Sequence, residues 1–286
     1  VKRIASPTTE YEIQEILRKN GKFGSVYRGL NCQSKQPVII KVLSGHQNPE
    51  VIHRFENEYR LRLDHPNLIS ATDYFIYDEN HYLIRPYMEG TDAAAYIMKN
   101  RITRNEFIQI AIDVLSALAH LHTHGILHTD IKPSNIILSK TDNGVKAYLT
   151  DLGLARNMNA PITQRPFALL YSPPEQVLQY HYLMNASSDI YSLGITLYEL
   201  LTHTQPFKHP NPEFTMHLQL TQSLEAHKNI DSDIFQLLLK ATQKPRFAKP
   251  PNLYPKIEVE QKLKDAIALR HASADEMRDE VMCSLK

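Results

Sequence analysis

Cysteine is scarce in this sequence. Only Cys32 and Cys283 occur among 286 residues, near opposite ends, which argues against a disulfide framework and for a reducing compartment. Long apolar runs are missing as well, and none approaches the roughly 20 residues that a membrane-crossing helix needs. Residues Val1 to Thr9 lack the apolar h-region of a signal peptide. A cytoplasmic location is therefore expected. Charge of one sign is not in excess: 32 Lys and Arg face 31 Asp and Glu, a formal net charge of +1. That balance gives no reason to propose nucleic acid or an anionic membrane as the main partner. The 14 histidines are scattered without metal-ligand spacing. Internal repeats and low-complexity blocks are also lacking, which removes solenoids and propellers.

What is present suits a soluble globular chain. The hydrophobic fraction is 42% and the charged fraction 22%, ordinary values for such proteins, and the length allows one large domain or two packed lobes. The front third reads as strands. Tyr11 to Leu17 and Gly24 to Leu30 flank Asn20-Gly21 as a hairpin, and the β-branched Pro37 to Leu43 reads as a buried strand. In that strand Ile39 and Lys41 project to one face, and Val38, Ile40 and Val42 to the other. Asn48-Pro49-Glu50 is a helix start, with Pro in the first turn and an acid at the positive dipole end. Val51, Ile52, Phe55 and Tyr59 give that helix its apolar stripe, and His65-Pro66-Asn67 ends it. Tyr74 to Ile76 and His81 to Ile84 form another strand pair.

From Thr91 the pattern turns helical. Phe107, Ile110, Ala111, Val114, Leu115, Leu118 and Leu121 recur at spacings of three and four, as do Ile190, Leu193, Leu197, Leu200 and Leu201. Asp142-Asn143-Gly144 is a hairpin turn between Ile136–Leu138 and Lys146–Leu149. The order is a small strand-rich part followed by a larger helical part, joined near Pro86 to Gly90.

The chemistry concentrates in His128-Thr129-Asp130-Ile131-Lys132-Pro133-Ser134-Asn135 and in Asp151-Leu152-Gly153. Phosphoryl transfer requires a carboxylate to orient the attacking hydroxyl, a cation near the moving group, and oxygen ligands for magnesium. Asp130, Lys132, Asn135 and Asp151 supply these in order, and the intervening hairpin would fold the two metal ligands, Asn135 and Asp151, toward each other. Magnesium keeps several waters, so two protein ligands suffice.

On these motifs the sequence resembles the eukaryotic-type Ser/Thr protein kinases, including their bacterial members, over nearly its whole length. The catalytic loop matches at 128–135 with Thr129 in place of arginine, and the magnesium motif matches at Asp151-Leu152-Gly153. The resemblance implies an α+β fold of two lobes, a small β-rich N-lobe with one helix and a larger α-helical C-lobe. Residues 1–9 would be an N-terminal extension, 10–86 the N-lobe and 87–286 the C-lobe. It implies ATP and Mg²⁺, a protein Ser/Thr substrate and room for a regulatory protein. Gly21, Phe23, Gly24 and Val26 match the second half of a glycine-rich loop over the phosphates, with Lys19 where the first glycine would be. Val38-Ile39-Ile40-Lys41 matches the strand whose lysine holds the α- and β-phosphates, with Ile39 at the adenine. The glutamate partner of Lys41 is Glu58 by the Phe-x-x-Glu pattern, with a shortened helix, or Glu56 by counting back from His65; Glu58 is favoured.

The same resemblance gives Pro86 and Met88 the hinge backbone contacts to adenine and puts Arg85 at the gatekeeper position. Asp92 meets the ribose or else caps a helix, and Ile137 lies against the base. Asp189 would hold the catalytic-loop backbone, and Glu175 would form a buried ion pair with Arg270, for which Arg246 is a rival. Residues 211–255 exceed the family minimum. Thr129 replaces the arginine that reads a phosphate in regulated kinases, implying activity without that modification or control by other means. Thr163 and Ser172 are weak regulatory candidates, and Ala168 replaces a threonine that contacts the catalytic aspartate. Lys132 favours Ser/Thr over Tyr specificity. Two alternatives remain at this point. One is a pseudokinase serving as a nucleotide-binding scaffold. The other is a small-molecule kinase, against which Pro173-Pro174-Glu175 and Asp189–Gly194 argue.

Overall fold

The computed structural model describes residues 2–21, 24–44, 48–142, 144–160 and 167–283. Phe23, Thr163 and the Asn143 turn position lie outside them. The chain divides into two compact units, one of residues 1–89 and 150–155 and the other of residues 90–149 and 156–286. The division at 89/90 falls inside the expected joint, three residues beyond the expected boundary at 86/87. The short stretch 150–155 belongs with the first unit.

The first unit is an antiparallel sheet with one helix. Its strands are β1 (Lys2–Ala5), β2 (Glu10–Gly21), β3 (Gly24–Asn31), β4 (Pro37–Ser44), β6 (Asp73–Tyr77) and β7 (Asn80–Pro86), in the order β1-β2-β3-β4-β7-β6. The short β5 (Leu68–Ile69) precedes β6. Residues 2–5 therefore serve as the edge strand, paired with Glu10–Ile13, and Ile4 is buried. Alternation splits the sheet into two faces. On one face Ile4, Tyr11, Val38, Ile40, Phe75, Tyr82 and Ile84 form a core. There Phe75 stacks between Tyr11 (centroids 6.0 Å) and Tyr82 (5.2 Å), offset arrangements that favour aromatic pairs. The Tyr11 hydroxyl donates to Asp73 at 3.0 Å, so a tyrosine enters the core with its polar end satisfied.

The opposite face carries Lys41. Helix α1 (Pro49–Arg60) covers part of it, packing Phe55 with Leu43, Ala71 and Leu83. Asn48 caps the helix by accepting the Glu50 N–H at 2.9 Å. The helix stops at Arg60, five residues before His65, and only two residues follow Glu58 within it. Gly24 is required where β2 turns into β3. Its φ is +89°, and a Cβ there would come within 2.1 Å of the Val42 carbonyl oxygen.

The second unit is mainly helical. Strand β8 (Thr91–Asp92) pairs with β10 (Ile136–Thr141), which pairs with β11 (Gly144–Thr150). Gly90 enters β8 with φ +139°, where a Cβ would sit 2.3 Å from the Leu138 carbonyl oxygen. After α2 (Ala93–Ile97) comes α3 (Arg104–Thr123), begun by a Thr103–Glu106 capping box and buried along the stripe read from its spacing. Strands β9 (Ile126–Leu127) and β12 (Arg156–Asn157) pair with each other. Helix α5 (Ala186–Thr202) follows the short α4 (Pro174–Val177); nearly all of its residues are buried, polar Ser187, Ser188, Asp189 and Ser192 included. The remaining helices are α6 (Pro212–Thr221), α7 (Ser232–Ala241), α8 (Lys256–Ala268) and α9 (Ala274–Cys283), of which α9 lies along α3.

Glu175 forms its ion pair with Arg270, not with Arg246. The two nitrogen–oxygen distances are 2.7 and 3.1 Å, both side chains are fully buried, and Ser188 donates to the same carboxylate at 2.7 Å. Arg246 is exposed.

Candidate active site

Strand pairing in the first unit places one set of candidate residues together. The ladders set Val26 and Leu83 on either side of Lys41, and Arg28 and Arg85 on either side of Ile39. These six residues share a face. The Lys41 ammonium donates to both oxygens of Glu58, at 2.7 and 2.9 Å, and side-chain exposure is 13% for the lysine and 4% for the glutamate. Glu56 is exposed and accepts only a long bond from the Tyr74 hydroxyl, at 3.4 Å. The partner of Lys41 is therefore Glu58, and the short helix follows from it. Pro86 ends β7 opposite Val38, and the Tyr87 N–H donates to the Pro37 carbonyl at 3.1 Å. The ladder stops there, and Met88 is half-buried beyond it.

Asp151 follows β11 with left-handed backbone angles, φ 74° and ψ 74°, and its Oδ1 accepts the Gly153 N–H at 3.4 Å. Two contacts that sequence reasoning missed hold this stretch. The Asn57 side-chain amide donates to the carbonyls of Leu152 (3.2 Å), Gly153 (3.2 Å) and Ala155 (2.7 Å). The Arg85 guanidinium donates to the hydroxyl of Thr150. The only sequence signal for the first was a polar residue between Phe55 and Glu58 on a helix that buries both.

The second unit carries the other residues. Asp130 Oδ2 accepts from Lys132 Nζ at 2.6 Å and from the Asn135 amide at 3.0 Å, and the same amide reaches the Asp130 carbonyl at 2.8 Å. Among the described residues Asp130 Oδ1 is buried with no hydrogen-bond partner. A buried carboxylate oxygen left in that state is costly unless something binds it. Asp189 fixes the loop from below. Its carboxylate accepts the backbone N–H groups of His128 (2.9 Å) and Thr129 (2.8 Å) and the His122 ring at 2.9 Å. Burial alone would raise the Asp189 pKa. The His122 hydrogen bond, the charges of His122 and His128 and the Thr129 N–H outweigh burial and hold it below the usual carboxylate range. Thr129 takes a left-handed φ of 64°, unusual for a β-branched residue, and Gln176 donates to its carbonyl at 3.3 Å.

Ile137 and Asp92 are register partners across β10 and β8. Asp92 caps α2, its side chain accepting the Ala95 N–H at 2.8 Å. Ser172 is buried, its hydroxyl donated to the Ala168 carbonyl at 3.0 Å. Among the described residues no three His, Cys, Asp or Glu side chains gather into a metal cage. No helix among them is long and apolar enough to cross a membrane.

The model of the protein kinase domain family matches residues 11–264. The chain belongs to that family. This kinase domain is similar to the probable serine/threonine-protein kinase PknB of Lactococcus lactis, 31% identical over 246 residues that cover 81% of this chain and 38% of that protein. It is 32% identical over 250 residues to the serine/threonine-protein kinase PrkC of Bacillus subtilis, covering 83% of this chain and 38% of that one. Serine/threonine-protein kinase 36 of Pongo abelii is 34% identical over 204 residues, 69% of this chain and 15% of its own length. The kinase domain thus spans well under half the length of these relatives. Its β-rich first unit with one helix and its helical second unit agree with the two-lobed α+β architecture expected from the sequence.

Proposed function

We propose that this kinase domain transfers the γ-phosphoryl group of ATP, in the presence of Mg²⁺, to a serine or threonine hydroxyl of another protein in the cytoplasm. The observation that carries the reading is the Asp130–Lys132–Asn135 cluster, with one buried carboxylate oxygen unclaimed among the described residues. An acceptor in that state suits a substrate hydroxyl, which it would orient and from which it would take the proton as the oxygen bonds to phosphorus and ADP leaves. Lys132 already neutralises Asp130 and would shift toward the oxygens of the moving group. Lys41, steadied by Glu58, would hold the α- and β-phosphates, with Gly21, Gly24 and the backbone around them close to the phosphate oxygens. Val26, Ile39 and Ile137 would contact adenine, the Pro86 and Met88 backbone would bind its edge, and Asp92 would meet the ribose with the carboxylate oxygen not used to cap α2.

Asn135 and Asp151 fit magnesium by chemistry. Both offer hard oxygen donors, and the Asn135 amide nitrogen is spent on Asp130, which leaves its oxygen for a cation. When bound, Mg²⁺ neutralises the phosphates. The names of the relatives and the presence of Lys132 favour Ser/Thr over Tyr acceptors.

The test is transfer from γ-labelled ATP with Mg²⁺ to a generic protein substrate, beside an Asp130→Asn control. Label on Ser or Thr that falls at least about 100-fold in the control is expected. ATP binding without any label would replace this reading by that of a nucleotide-binding scaffold.

A further inference from the structure

The stretch Thr150–Ala155 carries Asp151, and its backbone is held within the first unit at both ends by side chains. At one end Arg85 on β7 donates to the Thr150 hydroxyl. At the other, a single Asn57 amide serves three carbonyls, those of Leu152, Gly153 and Ala155. Between these anchors Leu152 is buried. Gly153 lies so close to α1 that a Cβ on it would stand 3.5 Å from the Arg54 carbonyl oxygen. Three carbonyls converging on one donor group is a costly arrangement without that donor, because each then loses a hydrogen bond, the Leu152 carbonyl keeping the Ala155 N–H at 3.1 Å. Asn57 is adjacent to Glu58. The helix turn that holds Glu58 on Lys41 is therefore the turn that holds the Asp151 stretch, and a rotation of α1 that broke one set would break the other.

We propose that Asn57 and Arg85 are positioning residues that lock the Thr150–Ala155 stretch, and with it the Asp151 carboxylate, into one conformation tied to the Lys41–Glu58 pair. The lock uses amide and guanidinium hydrogen bonds already made within the unit, so it needs no phosphate on the chain. That matches a catalytic loop with Thr129 where a phosphate-reading arginine would stand. Arg85 follows the apolar run Tyr82-Leu83-Ile84 with a charge that is odd for its position, and this role accounts for it: the guanidinium anchors Thr150. The part of the proposal that concerns Asp151 as a metal ligand rests on the function proposed above; the lock itself does not.

The test separates the two. Asn57→Asp keeps the shape but turns a donor into an acceptor facing three carbonyls, and Arg85→Met removes the other anchor. Hydrogen exchange of the amides of residues 151–156, measured without nucleotide or metal, is expected to speed up about tenfold in each variant, with α3 amides unchanged. Asn57→Gln and Arg85→Lys, which keep a donor, should recover part of the protection. In transfer assays the Mg²⁺ half-saturation should rise several-fold while the KM for the protein substrate stays put. Unchanged exchange at 151–156 in both Asn57→Asp and Arg85→Met would overturn the lock whatever the activity. A wild-type chain that shows no transfer would overturn the kinase reading, while the exchange comparison would still decide the lock.

Discussion

Arg270→Met offers the sharpest test of how the helical unit is held together. Both charged groups of the Glu175–Arg270 pair have no exposed side-chain surface. The guanidinium meets the carboxylate through two bonds of 2.7 and 3.1 Å and spends its Nε on the Gln243 carbonyl at 2.9 Å. The guanidinium also lies 4.9 Å from the Tyr191 ring, and its charge acts on Lys244. Methionine would fill much of the volume but leave Glu175 with Ser188 as its one remaining side-chain donor. Removing one partner of such a pair costs about 3–5 kcal/mol, whereas replacing both by apolar groups is often near neutral. Arg270→Met and Glu175→Leu should thus each lose several kcal/mol, and the double variant should lose less than the worse single. The unit holds about 190 residues, so an unfolding entropy near 2.1 cal/mol/K per residue turns about 4 kcal/mol into a fall in Tm of about 10 °C. Calorimetry and urea titration of the four proteins of the cycle measure this. A single-variant loss below about 1.5 kcal/mol, or losses that simply add in the double, would refute the assignment of a tightly coupled buried pair.

Three further outcomes are expected. Gly24→Ala should destabilise the β2–β3 hairpin by about 2 kcal/mol or more, since φ +89° and the Val42 carbonyl both oppose a side chain, and ATP titration should show weaker binding. Asp189→Asn keeps the shape but cannot accept from His122 and both loop amides together; a loss of about 1–3 kcal/mol is expected by denaturant titration, with reduced kcat. Acid should weaken the helical unit. Burial and the Lys240 charge lower the His271 pKa, and burial and Arg156 lower that of His181. With folded values below about 6.5, the unfolded chain binds the protons first, so stability present above pH 6.5 is lost as pH falls toward the folded values. The slope is at most about 1.4 kcal/mol per pH unit per histidine, and His271→Gln should flatten it.

The sequence made the local half of this molecule readable. Alternation in Pro37 to Leu43 assigned Lys41 and Ile39 to one face because period two is a backbone property, and the ladder agrees. Asn48-Pro49-Glu50 announced α1 because caps are decided by neighbouring residues. Spacing alone left Glu56 and Glu58 open, since both lie within two residues on one short helix. Burial decided between them, with Glu58 3% exposed and Glu56 outside. The contacts of Asn57 and Arg85 bridge 95 and 65 positions of chain, and no periodicity reports such distances. The edge strand was hidden for another reason: Lys2–Ala5 buries one apolar residue, Ile4, too little to mark a strand by pattern.

That edge strand has a practical side. A fragment trimmed to the family-matched residues 11–264 would strip β1 from β2 and open the cover over the Tyr11–Phe75–Tyr82 stack. At the other end it would delete α9 from its bed along α3, together with Arg270. A bared strand edge beside exposed aromatic rings invites pairing between molecules. Minimal fragments of this chain should therefore precipitate or self-associate where the 286-residue form stays dispersed.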